Sequence, residues 1–166
     1  MKHLRMAIAA LLVVSAVNLS VMVPGGPVEA RDFSAIAPVI LGGFNLFLTL
    51  LGLGSLVLAF LIASGRYDGY FFAGLIGIGY FAIYAIDLAH NFPKSPTPRP
   101  SLLFGLEWLG AVLALPLTAA SFFMAFHQME TARGSRPFVF SAPAILAMVV
   151  LALAIVTFAT YSAMGL

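Results

Sequence analysis

Two carboxylates lie where an apolar chain has least use for them. Asp87 and Glu107 are carried by hydrophobic runs of membrane length, whereas Glu29, Asp32, Asp68 and Glu130 fall in the breaks between such runs. A charge inside a bilayer is costly, so it normally faces a partner, a cavity or a pathway. If the two carboxylates approach each other, they would share a proton or hold a cation between them. His90 follows Asp87 by three residues, about 60° around a helix axis. Asp87, His90 and Glu107 are therefore candidate metal ligands, a nitrogen and oxygen set suited to zinc, copper, iron or manganese. A plainer reading competes. The carboxylates could pair with Lys94 or Arg99 of the following linker, or bond Tyr84 and Asn45, and so fix helix register, since buried polar groups need partners. His90 would then be an interfacial residue bonding the loop.

Other chemistry is thinly represented. The chain has no cysteine, which excludes thiolate-bound cofactors, disulfides and thiol redox chemistry. No Ser/His/Asp set, phosphate-cradling glycine loop or zinc-protease helix is present. The sequence names no cofactor. Axial ligation of a heme or pigment is conceivable at His90 or His127, but these lie at opposite ends of the bundle and cannot share one heme. His127, Gln128 and Glu130 mark one interface, and Trp108 reads as an interfacial anchor.

The elements that carry these residues are readable from hydropathy. Of 166 residues, 62% are hydrophobic and 8% are charged. The mean hydropathy is +1.08, whereas a soluble domain carries about 25% charged residues. This is the composition of an all-α integral membrane protein, and the lipid bilayer is its first partner. The net charge of +2 includes no basic run suited to nucleic acid. A span needs about 20 apolar residues. Five segments meet that length or nearly so: Met6–Val23, Pro38–Ala63, Gly69–Asn91, Leu102–Phe126 and Phe138–Met164. They predict an antiparallel bundle of five transmembrane helices in one domain over residues 1–166.

Proline and glycine mark the breaks: Pro24-Gly25-Gly26-Pro27, the Ser64–Gly69 hairpin, and a linker holding Pro93, Pro96, Pro98 and Pro100. Pro38 suits a first helical turn, and Asp68, Ser101 and Ser141 are candidate N-caps. The first segment also reads as a signal peptide, with Lys2-His3-Leu4-Arg5 before it and Val28-Glu29-Ala30 as a cleavage site. A retained span is favoured, because the apolar run is long for a signal peptide. Cleavage after about residue 30 would leave four spans. Lys2, Arg5, Arg66, Arg133 and Arg136 fall on one side, and Arg31, Lys94 and Arg99 on the other. The positive-inside rule then puts the N-terminus in the cytoplasm and the C-terminus outside.

Helical phase selects the faces. Gly69, Ala73, Gly77, Tyr80, Tyr84, Asp87 and Asn91 share a stripe on the third span. Glu107, Gly110, Ala111, Ala114, Thr118, Ser121, Ala125 and Gln128 share one on the fourth. Pro38, Gly42, Asn45, Thr49, Gly52, Ala59 and Ala63 share one on the second. Small residues let helix backbones approach, so these stripes predict a core made by the second, third and fourth spans. Asn45, Tyr84, Asp87 and Glu107 all fall within about two turns of the outer ends, with Tyr80 and His90 beside them. Together they predict an outward-facing polar pocket that binds a ligand, an ion or a partner. The expected function is a non-catalytic binding protein, either an accessory subunit of a membrane complex or a free-standing or homo-oligomeric one. A proton- or cation-coupled transporter using Asp87 and Glu107 is one alternative, and a metalloenzyme with the Asp87/His90/Glu107 site another.

Overall fold

The computed structural model describes residues 1–65, 69–129 and 141–165. Its regular structure is five helices: α1 (Lys2–Val21), α2 (Pro38–Ser64), α3 (Tyr70–Leu88), α4 (Ser101–Met129) and α5 (Ala142–Ala163). Each is long and apolar enough to cross a membrane. Arg66, Tyr67, Asp68, Glu130, Arg133, Arg136, the Gln128 side chain and the start of the expected fifth segment at Phe138 lie outside the described residues.

Local chemistry sets the helix ends. α2 opens on Pro38, whose missing N–H is no loss in a first turn. It closes on Gly65 at φ +67, a left-handed cap that returns its N–H to the carbonyls of Leu61 and Ile62. A Cβ at Gly65 would also lie 2.8 Å from Arg5 Nη1, the movable end of a flexible side chain, so it is the left-handed φ that favours glycine here. α3 stops at Leu88, before the expected Asn91. His90 adopts φ +57, which breaks the right-handed helix. The Pro100 carbonyl accepts the Phe104 N–H at 3.1 Å, so Ser101 is the first residue of α4 rather than its cap. α4 continues through Pro116. Ser141 does precede α5, but its side chain makes no capping bond.

The helices alternate in direction. Along α3 and α4, Gly74 meets Phe122, Gly77 meets Thr118, and Gly110 meets Tyr84. α1 and α2 pair in the same sense, Leu19 against Gly52 and Arg5 against Gly65. α2 and α5 meet where Gly42 and Asn45 approach Thr160. One end of the bundle therefore gathers the α1–α2 loop, the α3–α4 linker and the end of α5. This loop-covered end is tied together by backbone and side-chain bonds. Phe33 N–H donates to Ala163 O at 3.0 Å, and Asp32 N–H donates to Thr97 Oγ1 at 3.0 Å.

The core differs from the expected trio of α2, α3 and α4. α1 packs along both α2 and α4, and its Ile8, Leu12 and Ser15 are fully buried. The predicted stripes of α3 and α4 are buried through Ala73, Gly77, Tyr80 and Tyr84 and through Glu107, Gly110, Ala111, Ala114 and Ser121. α2 has a wider buried arc, adding Leu51, Ser55, Leu58, Leu61 and Ile62, because it faces α1, α3 and α5. α5 rests on α2 alone among the helices, and only Ala159 and Ala163 of it are buried.

Candidate functional site

The loop-covered end encloses five charged side chains. Arg31, from the α1–α2 loop, is the hub. Its Nε and Nη2 donate to Glu29 Oε1 and Oε2 at 2.9 and 2.7 Å. Its Nη1 and Nη2 donate to Asp87 Oδ1 and Oδ2 at 2.8 and 2.9 Å. The guanidinium thus engages one carboxylate along each of two edges, the geometry for which its planar fork is suited. Arg99, from the α3–α4 linker, donates through Nη1 to Glu107 Oε2 at 2.8 Å and through Nη2 to Asp87 Oδ1 at 3.1 Å. Its Nη2 also donates to the Asp87 carbonyl, satisfying one of the last carbonyls of α3. Phe33 and Phe104 lie under the two guanidiniums, 5.2 and 6.0 Å from ring centre to Cζ.

The cluster is withdrawn from solvent. Side-chain exposure is 6% for Arg31, 4% for Glu29, 13% for Asp87, 11% for Arg99 and 2% for Glu107. Burial by itself disfavours the Arg31 charge, but the carboxylates of Asp87 and Glu29 outweigh it and hold the guanidinium above its ordinary pKa. Outside the cluster, exposed Asp32 accepts the Ser34 N–H at 2.8 Å, which lowers its carboxyl below the ordinary range.

The charges do not balance. Two guanidiniums face three carboxylates, leaving one negative charge when all are ionised. The deficit has a location. Among the described residues, buried Glu107 Oε1 has no hydrogen-bond partner; Arg31 Nη2 stands 3.7 Å from it. Beside it is a cavity of about 50 Å³, whose walls include Glu107, Asp87, Glu29, Arg31, Tyr84 and Asn45. That is room for a few water molecules or one group of ammonium size.

The remaining candidates fall at graded distances from this cavity. Asn45 lines it and donates to Thr160 Oγ1 at 3.1 Å. Tyr84 also lines it, and its hydroxyl accepts from Asn18 Nδ2 at 3.2 Å. Asn18 itself reaches the Leu106 carbonyl at 3.1 Å, so α1 ties α3 to α4 at this level. Tyr80 lies a turn further from the loops, where its hydroxyl meets Ser55 Oγ at 3.0 Å. His90 is not grouped with the carboxylates as a helix-borne ligand. It lies past the end of α3, exposed, with Nδ1 3.0 Å from the Leu88 carbonyl oxygen. Among the described residues, no group of three His, Cys, Asp or Glu side chains is placed to hold a metal ion. Of the two expected cation partners, Arg99 joins the cluster and Lys94 is exposed. Arg31 and Glu29, read from the sequence as ordinary loop residues, supply the hub and a third carboxylate.

Residues 4–136 match the family described as Domain of unknown function (DUF8051), and the chain belongs to that family. The matched stretch takes in α1 from Leu4 onward, α2 to α4 and all five residues of the cluster, and ends before α5. No curated protein and no solved structure matches the chain.

Proposed function

We propose that this is an integral membrane protein of five spans that binds a small monovalent cation at Glu107, without catalysing a reaction on it. Membrane insertion is supported by five apolar helices whose outward faces carry residues such as Phe47, Phe60, Phe72, Val112 and Val150. Retention of the first span is supported by the burial of α1 and by the Asn18 bonds. The distribution of basic residues favours a cytoplasmic N-terminus, with the ionic cluster toward the outer face.

The observation that carries the binding reading is Glu107 Oε1, unpartnered among the described residues, on a residue that lines a cavity in a cluster with one carboxylate in excess. An anion would be repelled there, and a buried carboxylate oxygen is completed by a proton, a cation or water. Binding is favoured over transport because the far half of the bundle is filled by Leu12, Leu58, Ile62, Leu117 and Met124.

A ligand that binds only the folded state raises its stability, by about 2.7 kcal/mol at roughly a hundred times Kd. Unfolding midpoints of the purified protein should therefore rise in ammonium, sodium or lithium chloride relative to N-methylglucamine chloride at equal ionic strength. Glu107→Gln retains an oxygen for the Arg99 bond and should lose the increment. Equal midpoints in all four salts would sink the reading. A second reading, an accessory subunit, is favoured by α5, which leaves Ile145, Leu146, Val149 and Leu153 exposed and packs on α2 alone among the helices. It requires a stoichiometric partner on isolation in mild detergent.

A further inference from the structure

Three separate spaces lie at the loop-covered end and below it, each sharing wall residues with the next. The first is an open pocket of about 330 Å³ among the linker residues, lined by Lys94, Ser95, Thr97 and Arg99 and floored by Arg31. Arg31 also lines the second, the 50 Å³ cavity at Glu107. Leu19, Pro24, Asn45 and Leu48 line both that cavity and a third space. The third is a groove of about 150 Å³ between α1 and α5, with α2 as its floor. It arises because, among the described helices, α1 and α5 each pack on α2 and not on one another.

The groove has the chemistry of a hydrocarbon site. Its walls are mainly aliphatic, among them Leu53, Leu56, Ile155 and Ala159. The hydroxyls it contains are turned to their own helices: Thr49 Oγ1 donates to the Asn45 carbonyl at 2.7 Å, and Ser20 Oγ to the Val17 carbonyl at 2.8 Å. Water entering would find few partners, so the groove suits an apolar guest laid along it. From Asn45 to Leu56 the α2 floor runs about 16 Å, the length of a medium alkyl chain. At its upper end the groove reaches Asn45, which is 2% exposed, and beyond Asn45 lies the carboxylate cluster with its unfilled oxygen.

From this juxtaposition we infer that the ligand is a single-chain amphiphile with a primary ammonium head. Its alkyl chain lies in the groove between α1, α2 and α5, and its head passes Asn45 to donate to Glu107 Oε1. The head class follows from charge. Carboxylate and phosphate heads meet Glu29, Asp87 and Glu107, whereas an ammonium supplies the missing positive charge and three N–H donors. A trimethylated head has no N–H to donate to the Glu107 oxygen. This assignment rests on the reading of the cluster as a cation site and adds the chain to it.

The test uses dodecylamine, dodecanol and dodecanoate, each with a photoactivatable diazirine on the chain, added to the full-length protein in lipid nanodiscs. Cross-linked peptides are mapped after illumination. The amine should label segments 16–24, 45–56 and 155–159 several-fold more than the alcohol or the acid. Gly52→Leu should remove that labelling by filling the groove. A Cβ at Gly52 meets only Leu19 Cδ2, at 3.8 Å, so the helix pair accepts it. Ile155→Trp fills the groove from the opposite wall and should do the same. Glu107→Gln should reduce the amine to the level of the alcohol.

Equal labelling by all three heads, or labelling spread over the lipid-facing helix surfaces and indifferent to both groove variants, overturns the assignment. The two readings fail separately. If ammonium chloride stabilises the protein through Glu107 while the amphiphiles label without preference, the cation site stands and the amphiphile falls. If neither effect depends on Glu107, both fall.

Discussion

Replacing Arg31 isolates the energetic role of the cluster. Arg31→Met keeps the length and apolar stem of the side chain and removes the charge. Glu29 would then lose the bonds from Arg31 Nε and Nη2 to its carboxylate and keep the one from the residue 31 backbone N–H. Asp87 and Glu107 would keep Arg99 alone, at 3.1 and 2.8 Å. One guanidinium would face three carboxylates. Exposed ion pairs are worth about 0–1 kcal/mol, but the Arg31 side chain is 6% exposed and that of Glu29 4%, so solvent screening gives little relief. Breaking a buried pair by removing one partner costs about 3–5 kcal/mol. The lower end is expected here, because Glu29 sits on a loop and can turn toward water.

The penalty belongs to the abandoned carboxylates rather than to the lost arginine. Arg31→Met combined with Glu29→Gln and Asp87→Asn should therefore recover most of it. Reversible unfolding in a mild-detergent denaturant series, followed by circular dichroism, gives both free energies. The single-variant penalty should also change little with salt, as screening acts weakly on buried pairs. A loss below about 1 kcal/mol, or one that the added neutral substitutions deepen, would refute the argument.

Two further perturbations test the packing and the loop. A Cβ on Gly110 would collide with the Tyr84 ring and come within 2.8 Å of Asn18 Nδ2. Gly110→Ala should thus cost about 1–3 kcal/mol by overpacking, whereas Gly43→Ala, with nothing within 4 Å of the new carbon, should leave the thermal midpoint unchanged or slightly raised. Similar losses in both would mean that helix approach is not what these glycines serve. Asp32 has a folded-state pKa below its unfolded value, so its contribution is present above the unfolded value of about 3.9 and lost as the pH falls through the folded one. Asp32→Asn should accordingly be less stable than the parent at neutral pH, and the gap should close on acidification; a gap independent of pH would refute the role of the Ser34 bond.

Much of the fold was legible because membrane-length helices announce themselves twice, by hydropathy and by phase. Gly77, Tyr80, Tyr84 and Asp87 on α3, and Glu107, Gly110 and Ala114 on α4, lie within 100° arcs that turn inward together. The helix periods could not reveal how α1 fits. Its sequence is apolar all round, and its place in the core follows from a shape that α2 and α4 create between them. Nor could phase place His90, since a left-handed backbone at that residue ends the helix on which the metal reading depended.

The hub of the cluster was hidden for a different reason. Arg31 lies in a loop, where neither periodicity nor hydropathy assigns a direction, and Val28-Glu29-Ala30-Arg31-Asp32 reads as solvated chain. Charge matching alone offered Lys94 and Arg99 of the linker and passed over Arg31, which lies on the same side of the bundle. Side-chain chemistry separates them. Asp87 and Glu107 stand at the ends of neighbouring helices and must each be met at a fixed angle. A planar guanidinium spans two carboxylates and loses less freedom per bond, while a strongly hydrated ammonium is better left in water. The structure uses both arginines and leaves the lysine exposed. Closing the site with two guanidinium forks therefore leaves Glu107 Oε1 with Arg31 Nη2 at 3.7 Å and, among the described residues, without a hydrogen-bond partner.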